Sequence, residues 1–166
     1  MTAPSNGAAR AQTATPRGAG DVDLPRYLPH LLNSVSAQMN ERVAQELRTI
    51  DLPLAHWRIL AILRWRGACT LKDIYSWTVI DTSTASRAVK RLEEEGALER
   101  RWDTGDSRAR RITITAQGEA VFERGWAIVS GFNAHLFAGL SDDEKERMTQ
   151  LLELLDTRLG QSVWTG

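Results

Sequence analysis

A run of small hydroxyl side chains followed by cations occupies positions 81–92, which read Asp-Thr-Ser-Thr-Ala-Ser-Arg-Ala-Val-Lys-Arg-Leu. On a helix, such a first turn offers hydroxyl groups and free backbone N–H groups, which suit phosphate oxygens. Arg87 lies one turn later on the same face, within reach of a base edge in a major groove. The chemistry indicated is recognition of double-stranded DNA. The predicted contacts are Thr82, Ser83, Thr84, Ser86, Arg87, Lys90 and Arg91.

A second basic segment follows in a hairpin pattern. The turn-rich run 103–107 separates two strand-like stretches, 98–102 and 110–115. Arg108 follows this tip and is predicted to enter a minor groove, where negative potential attracts arginine. Asp106 is predicted to support the hairpin or one of its arginines from within the chain. The competing interpretation of the helix, an amphipathic helix with a solvated charged face, is weakened by this neighbouring hairpin.

The elements that must position these residues are mostly helical. Apolar residues recur at spacings of three and four from Leu28 to Leu47, and the stretch 54–65 is apolar on nearly all sides, which predicts a buried helix. Short helices are predicted from Leu71, behind a Thr70–Asp73 capping box, and after Asp81. The second of these should turn Ala85, Ala88, Val89 and Leu92 inward and end at Gly96. Two longer helices follow the hairpin, the last behind a second capping box at 141–144. A two-stranded hairpin must pack on helices to be stable. The predicted fold is mainly α with a small β-hairpin wing, a winged helix-turn-helix.

Composition excludes several other classes. The chain has 166 residues, no formal net charge and one cysteine, so it has no intrachain disulfide and no multi-cysteine zinc site. None of its three histidines, His30, His56 and His135, stands four residues from another, so no metal site is predicted. No nucleophile motif or phosphate-binding glycine loop is present, so neither an enzyme nor a cofactor is predicted. Without a membrane-length apolar run or a signal-peptide core, the expected location is cytoplasmic.

The stretch from Leu52 to Gly118 resembles the core of the MarR family of bacterial transcriptional regulators. The most specific part is an Asp-x-Arg wing element followed by a strand and a Thr-x-x-Gly step. The chain departs from the family pattern at Pro53, at Thr82 and in the third helix, which reads Asp-Ile-Tyr-Ser-Trp at 73–77. The matching segments read Leu-Pro-Leu-Ala-His-Trp at 52–57, Ser-Thr-Ala-Ser-Arg at 83–87, Leu-Glu-Glu-Glu-Gly-Ala-Leu-Glu-Arg at 92–100, Asp-Ser-Arg-Ala at 106–109 and Ile-Thr-Ala-Gln-Gly at 114–118.

The resemblance implies a homodimer that binds a pseudo-palindromic operator and acts as a repressor. It divides the chain into a disordered tail (1–21), a helical dimerisation region (22–50 and 116–166) and a DNA-binding domain (51–115). Operator release by a small effector, an aromatic or phenolic acid, is also implied. The residues assigned to an effector pocket on this basis are His30, Ser34, Gln38, Trp57, Arg58 and Trp65.

Each of these assignments has an alternative in the sequence. Tryptophans on an apolar helix are commonly core residues, and a lone histidine is commonly structural. Cys69 offers an oxidation-sensing alternative, because a thiol can be modified by oxidants. A winged helix can also serve as a protein-interaction module, which the neutral net charge would suit.

Overall fold

The computed structural model describes residues 23–78, 80–102 and 110–160. Two helices, α1 (Leu28–Leu47) and α2 (Leu54–Arg66), precede the short α3 (Leu71–Trp77) and α4 (Thr82–Glu94). The strands β1 (Leu98–Trp102) and β2 (Arg110–Ile114) follow, and the last elements are α5 (Ala116–Leu136) and α6 (Asp142–Gly160). The predicted fold class, a helical chain carrying a small hairpin, is confirmed.

The chain divides after Met39 into two compact units. The first unit holds a short 3-10 turn at Leu24–Arg26 and the beginning of α1. The second holds the rest of α1 and all later elements. The domain limits suggested by the sequence stay predictions, and positions 1–22 lie outside the described residues.

The core of the second unit lies where α2, α3, α4 and the hairpin meet. The inner face of α4 is buried at every position that the sequence pattern indicated, namely Ala85, Ala88, Val89 and Leu92. This face packs on buried residues of the other elements, among them Ile59, Leu60, Leu63, Ile74, Leu98 and Ile112. Because α4 is held along its whole length, its outer face has a fixed orientation.

A smaller cluster joins the end of α1 to α2 and α5. It contains Val43, Leu47, Leu52 and Val129, with Trp57 and Phe132 packed beside them. The prediction that α2 is buried holds for its centre but is wrong at its end, where Trp65 is 68% exposed. The last turn of α2 extends beyond the core, so Trp65 is not buried there.

The hairpin is tied to the helices at several points. The two strands pair antiparallel with Arg100 opposite Ile112. The backbone of Ile112 also exchanges hydrogen bonds with Cys69, at N···O distances of 3.1 and 2.7 Å. A third chain segment thereby anchors β2. The hairpin tip, 103–109, lies outside the described residues, so Asp106 and Arg108 stay predictions.

Two glycines explain how the chain turns around the hairpin. Gly96 follows α4 with a φ of +72°, a left-handed conformation that glycine adopts without steric cost. Gly118 lies so close to the preceding loop that an added Cβ would stand 2.1 Å from the Ala97 carbonyl oxygen. Its N–H donates to the Thr115 hydroxyl, 3.1 Å away, which caps α5. The Thr-x-x-Gly step is therefore a tight junction between hairpin and helix.

The last helix is unlike the others, because none of its residues is buried against the described part of the chain. Its predicted capping box is confirmed, with the Ser141 N–H and hydroxyl both donating to the Glu144 carboxylate at 2.8 and 2.9 Å. In the ranges that the structure describes, we find no helix with the length and apolarity needed to cross a membrane.

Candidate nucleic-acid interface

The start of α4 is fixed by Asp81, a helix cap that the sequence analysis did not single out. Its carboxylate accepts the Thr84 backbone N–H at 2.9 Å and the Ser83 hydroxyl at 2.5 Å. Hydrogen bonds from the Ser83 and Thr84 side chains and from the Thr84 backbone hold the pKa of Asp81 well below its usual value, so it is ionised at neutral pH. The signal available was an aspartate directly before a helix, a common N-cap.

The outer face of α4 presents the residues predicted to meet DNA. Thr82, Ser83 and Arg87 are exposed. The Arg87 guanidinium donates to the Thr84 hydroxyl at 3.2 Å and forms no ion pair within the described part of the chain. It is therefore held over the first turn with its charge available to a ligand.

Ser86 has a different environment from its neighbours. It is partly buried, and its hydroxyl shares a hydrogen bond with the Tyr75 hydroxyl of α3. That bond ties the two helices of the helix-turn-helix together. A DNA contact by Ser86 would have to share the hydroxyl with Tyr75.

Lys90 and Arg91 are exposed but carry ion pairs within the helix. The Arg91 Nε lies 2.7 Å from Glu95, and the Lys90 Nζ lies 3.8 Å from Glu94. Exposed pairs of this kind contribute about 0–1 kcal/mol. A phosphate can therefore replace the glutamates at small cost, and both cations stay available for a backbone contact.

The hairpin is joined to α4 by Arg100 and Glu93. The Arg100 Nε and Nη2 both donate to the Glu93 carboxylate, the second at 3.1 Å. These hydrogen bonds raise the pKa of Arg100 above its ordinary value. A two-point contact between a planar guanidinium and a carboxylate restrains angle as well as distance. The orientation of the wing relative to the outer face of α4 is thereby restrained.

The residues assigned to an effector pocket fall in different places. His30, Ser34 and Gln38 lie in the first unit, where Gln38 donates to the Ser34 hydroxyl at 3.0 Å. Arg58 donates to the Asn40 side-chain oxygen at 2.6 Å, and burial lowers its pKa from the ordinary value. None of these four lines the cleft described next.

An aromatic cleft of about 630 Å³ lies between α2 and α5. Trp57 and Trp65 form one wall, and Phe122 and Trp126, stacked at 6.2 Å between ring centroids, form the other. Arg64 at the rim pairs with Glu119 at 3.1 Å. Sequence reasoning missed the second wall, although Phe122 and Trp126 stand four residues apart on α5 and so share one face.

Cys69 lies in a setting that opposes oxidation sensing. It is 6% exposed, and its thiol donates to the Gly67 carbonyl at 3.4 Å. Burial, followed by the Asp73 charge, raises the thiol pKa, outweighing the opposite effects of Arg66 and Arg111. A raised pKa reduces the reactive thiolate. Among the described residues, no group of three or more His, Cys, Asp or Glu side chains is placed to hold a metal.

Comparison with known proteins identifies the family that shares this architecture. Residues 52–109 match the family model described as MarR family. The uncharacterized HTH-type transcriptional regulator YwhA of Bacillus subtilis is 30% identical over 58% of this chain and 70% of its own length. The HTH-type transcriptional repressor IacR of Pseudomonas putida is 26% identical over 80% of this chain and 78% of its own.

A solved structure gives the same result at the level of the fold. Bordetella bronchiseptica BpsR, described with a mechanism for regulation of its DNA binding by 6-hydroxynicotinic acid, superposes with a TM-score of 0.67 at 27% identity. The match covers 78% of this chain and 98% of BpsR. With its helix-turn-helix, hairpin and flanking helices in this order, the chain belongs to the MarR family and is a DNA-binding transcriptional regulator rather than an enzyme.

Proposed function

We propose that this protein is a repressor that binds a pseudo-palindromic operator as a homodimer and releases it when a small aromatic acid binds. The observation that carries the DNA part is the outer face of α4, with exposed hydroxyls in its first turn and Arg87, which has no ion-pair partner among the described residues, one turn later. The α4 residues Thr82, Ser83, Thr84, Ser86, Arg87, Lys90 and Arg91 meet the major groove. Arg108, supported by Asp106, meets the minor groove.

The homodimer is supported by apolar residues that the chain leaves exposed. In α6, Leu151, Leu152 and Leu154 are 46–50% exposed, and Leu159 is 73% exposed. The first unit exposes Leu28 and Val35 by more than half of their surface. Apolar side chains exposed in such number on one helix, as in α6, mark an interaction site. A second copy supplies the cover, and a two-fold dimer places two α4 helices about one DNA turn apart.

The aromatic cleft supports the effector part. Its walls of Trp57, Trp65, Phe122 and Trp126 suit a flat aromatic ring, and Arg64 at the rim suits a carboxylate that competes with Glu119. The repressor IacR and the ligand-regulated BpsR are relatives whose roles agree with this one. His30, Ser34 and Gln38 stay predictions.

The DNA part is tested by selecting duplexes from a randomised pool and measuring their affinity for variants. The selected sequence should be a pseudo-palindrome with half-sites about one helical turn apart. Arg87→Ala should weaken binding by about 1–3 kcal/mol and relax sequence preference at one position. Arg108→Ala should also weaken it, whereas Lys145→Ala on α6 should not. Unchanged affinity in both arginine variants would refute the proposed surface.

The effector part is tested by thermal-shift measurements against a panel of benzoic, hydroxybenzoic and hydroxynicotinic acids. A ligand should raise the melting temperature of the wild type and lower its affinity for the selected duplex. Trp126→Ala should abolish the shift, and Lys145→Ala, on α6 outside the cleft, should leave it intact. Equal shifts in both variants would show that the ligand binds elsewhere.

A further inference from the structure

An arginine lies between two exposed tryptophans where α2 ends and α3 packs beside it. The Arg66 guanidinium carbon is 4.4 Å from the ring centroid of Trp65 and 3.7 Å from that of Trp77. The two indoles meet edge to face, with centroids 5.6 Å apart and planes at 74°. We call these three residues the Trp-Arg-Trp clamp.

The clamp is not an ordinary part of the core. Trp65 is 68% exposed and Trp77 is 49% exposed, so both indoles show much of their surface to solvent. An exposed cation–π contact contributes only about 0.5–1 kcal/mol, which is modest support for exposing two of the largest apolar side chains. What the contact does achieve is to hold a flexible arginine in one place. That outcome matters most when the arginine has a partner outside the chain.

The N–H donors of the Arg66 guanidinium are not used by other side chains of the described residues. It forms no ion pair or side-chain hydrogen bond with the residues that the structure describes. Because the two indole planes stand at 74°, the planar guanidinium can lie face-on against one ring only, and Arg66 is exposed, so part of the edge that carries its five N–H donors is open to solvent. A guanidinium stacked in this way remains able to bind an oxyanion with two parallel hydrogen bonds.

Other cations surround the clamp. Arg66 and Arg111 both lie near enough to Cys69 to act on its thiol electrostatically. Arg111 donates to the Ala68 carbonyl at 3.0 Å, and Lys72 is exposed in the first turn of α3. Asp73, an acid that also acts on Cys69, accepts hydrogen bonds from Thr70, which lower its pKa and keep it ionised. Among these described residues, the three cations Arg66, Lys72 and Arg111 outnumber this one acid where α2 passes into α3, and a phosphate contact requires such a cationic surface.

The position of the clamp in the fold indicates that the oxyanion is a phosphate group of the DNA backbone. Helix α3 is the first helix of the helix-turn-helix and is tied to α4 through Tyr75 and Ser86. When a recognition helix enters a major groove, the first helix crosses the sugar-phosphate backbone beside it. From this geometry we propose that Arg66, held between Trp65 and Trp77, is a DNA-backbone contact of this protein, additional to the recognition helix and the wing. The proposal rests on the DNA-binding function proposed above.

Arginine is required here rather than any cation. A guanidinium stacks on indole faces and keeps its planar array of donors, whereas a lysine ammonium is compact and strongly hydrated. Holding the group in place before binding reduces the conformational entropy that is given up when DNA arrives. Arg66→Lys should therefore retain some salt dependence but bind DNA less tightly than the wild type.

The test is the salt dependence of binding to a fluorescein-labelled duplex of mixed sequence, followed by anisotropy between about 50 and 200 mM KCl. Removing one phosphate contact should make the slope of log affinity against log salt shallower by about 0.9. Arg66→Ala should show this change. The control is Lys145→Ala on α6, whose ammonium group is already paired with Asp142 at 3.1 Å. Its slope should equal that of the wild type.

The outcomes separate this inference from the function on which it rests. If Arg66→Ala keeps the wild-type slope while Arg87→Ala weakens binding, the clamp does not touch DNA and the proposed function stands. If the wild type shows no salt-dependent binding, both are wrong. Melting temperatures establish that each variant is folded, and Arg66→Gln replaces Arg66→Ala if the latter is unstable. Trp77→Leu should lower affinity with Arg66 intact, and an unchanged affinity would contradict the positioning role.

Discussion

The apolar faces of α4 and α6 differ in burial: the chain covers the apolar face of α4 and leaves that of α6 exposed. Helix α4 has 13 residues and buries four of them, all on one face, against the chain itself. Helix α6 has 19 residues and buries none of them against the described part of the chain. The polar face of α4 is therefore left for an outside partner, whereas in α6 the apolar face is left. Both helices are amphipathic, so the difference lies in what the rest of the chain covers.

This difference indicates two kinds of partner. A helix with its apolar side satisfied and its hydroxyls and cations exposed is suited to a polar, charged ligand such as DNA. A helix with exposed leucines needs a second apolar surface. Variants on the two helices should therefore affect different observables, which makes the comparison testable.

The largest expected effect is on the inner face of α4. Leu92 is 1% exposed, and Leu92→Ala should lower the free energy of unfolding by about 2–5 kcal/mol, because it removes buried methyl groups and leaves a cavity. Chemical denaturation measures this loss. The matched change on α6, Leu159→Ala at 73% exposure, should alter the free energy of unfolding of the isolated protomer little. Comparable losses would contradict the contrast between the two helices.

A smaller effect is expected on assembly. Leu151 is half exposed in the single chain, so Leu151→Ala should remove roughly 1 kcal/mol of apolar burial from each protomer of a dimer. For two copies this amounts to about 2 kcal/mol, or roughly a thirtyfold rise in the dimer dissociation constant. Sedimentation equilibrium measures it, with Gln150→Ala as the polar neighbour. A dimer that dissociates equally in both variants would show that α6 is not its interface.

The two regions can also be compared through their helix caps, where the expected losses of stability are smaller. The Thr115 hydroxyl accepts the Gly118 N–H and also donates to the Gly96 carbonyl at 2.7 Å, just beyond α4. Ser141 caps α6 through Glu144, within its own first turn. Thr115→Ala should therefore cost about 1–2 kcal/mol and Ser141→Ala about 0.5–1 kcal/mol. The two melting temperatures provide the measurement, and a larger loss for Ser141→Ala would reverse this order.

The parts of the fold that the sequence predicted share one property. Helix periodicity, the capping boxes at Thr70 and Ser141, and the glycine after α4 are all local signals, encoded within a few residues. They predicted the element order and, for α4, the buried face. The outer face of α4 was predictable for the same reason, because a helix fixes which residues point away from its core.

The parts that sequence reasoning missed depend on contacts between distant segments. Trp65 belongs to an apolar helix, and only the packing of α2 shows that its last turn extends beyond the core. The second wall of the aromatic cleft comes from α5, a helix that lies beyond the whole hairpin in the sequence. The second indole against Arg66, Trp77, comes from a separate helix. No local pattern specifies which side chains meet across two helices, so these features needed the structure.

The smallest predicted effect is a pH dependence at the α4 side of the comparison. His56 of α2 lies beside Glu95 and Arg91 at the end of α4, and burial lowers its pKa despite the opposing effect of Glu95. The unfolded chain therefore takes up a proton more readily than the folded one, and the free energy of unfolding should fall as the pH drops through about 6.5, the ordinary histidine value. His56→Gln should flatten this part of the profile, whereas His135→Gln, at an exposed position on α5, should not. The profile is obtained from denaturation between about pH 5 and 8, a range in which histidine titrates. If both variants reproduce the wild-type profile, His56 is not the group that links the stability of the α4 region to pH.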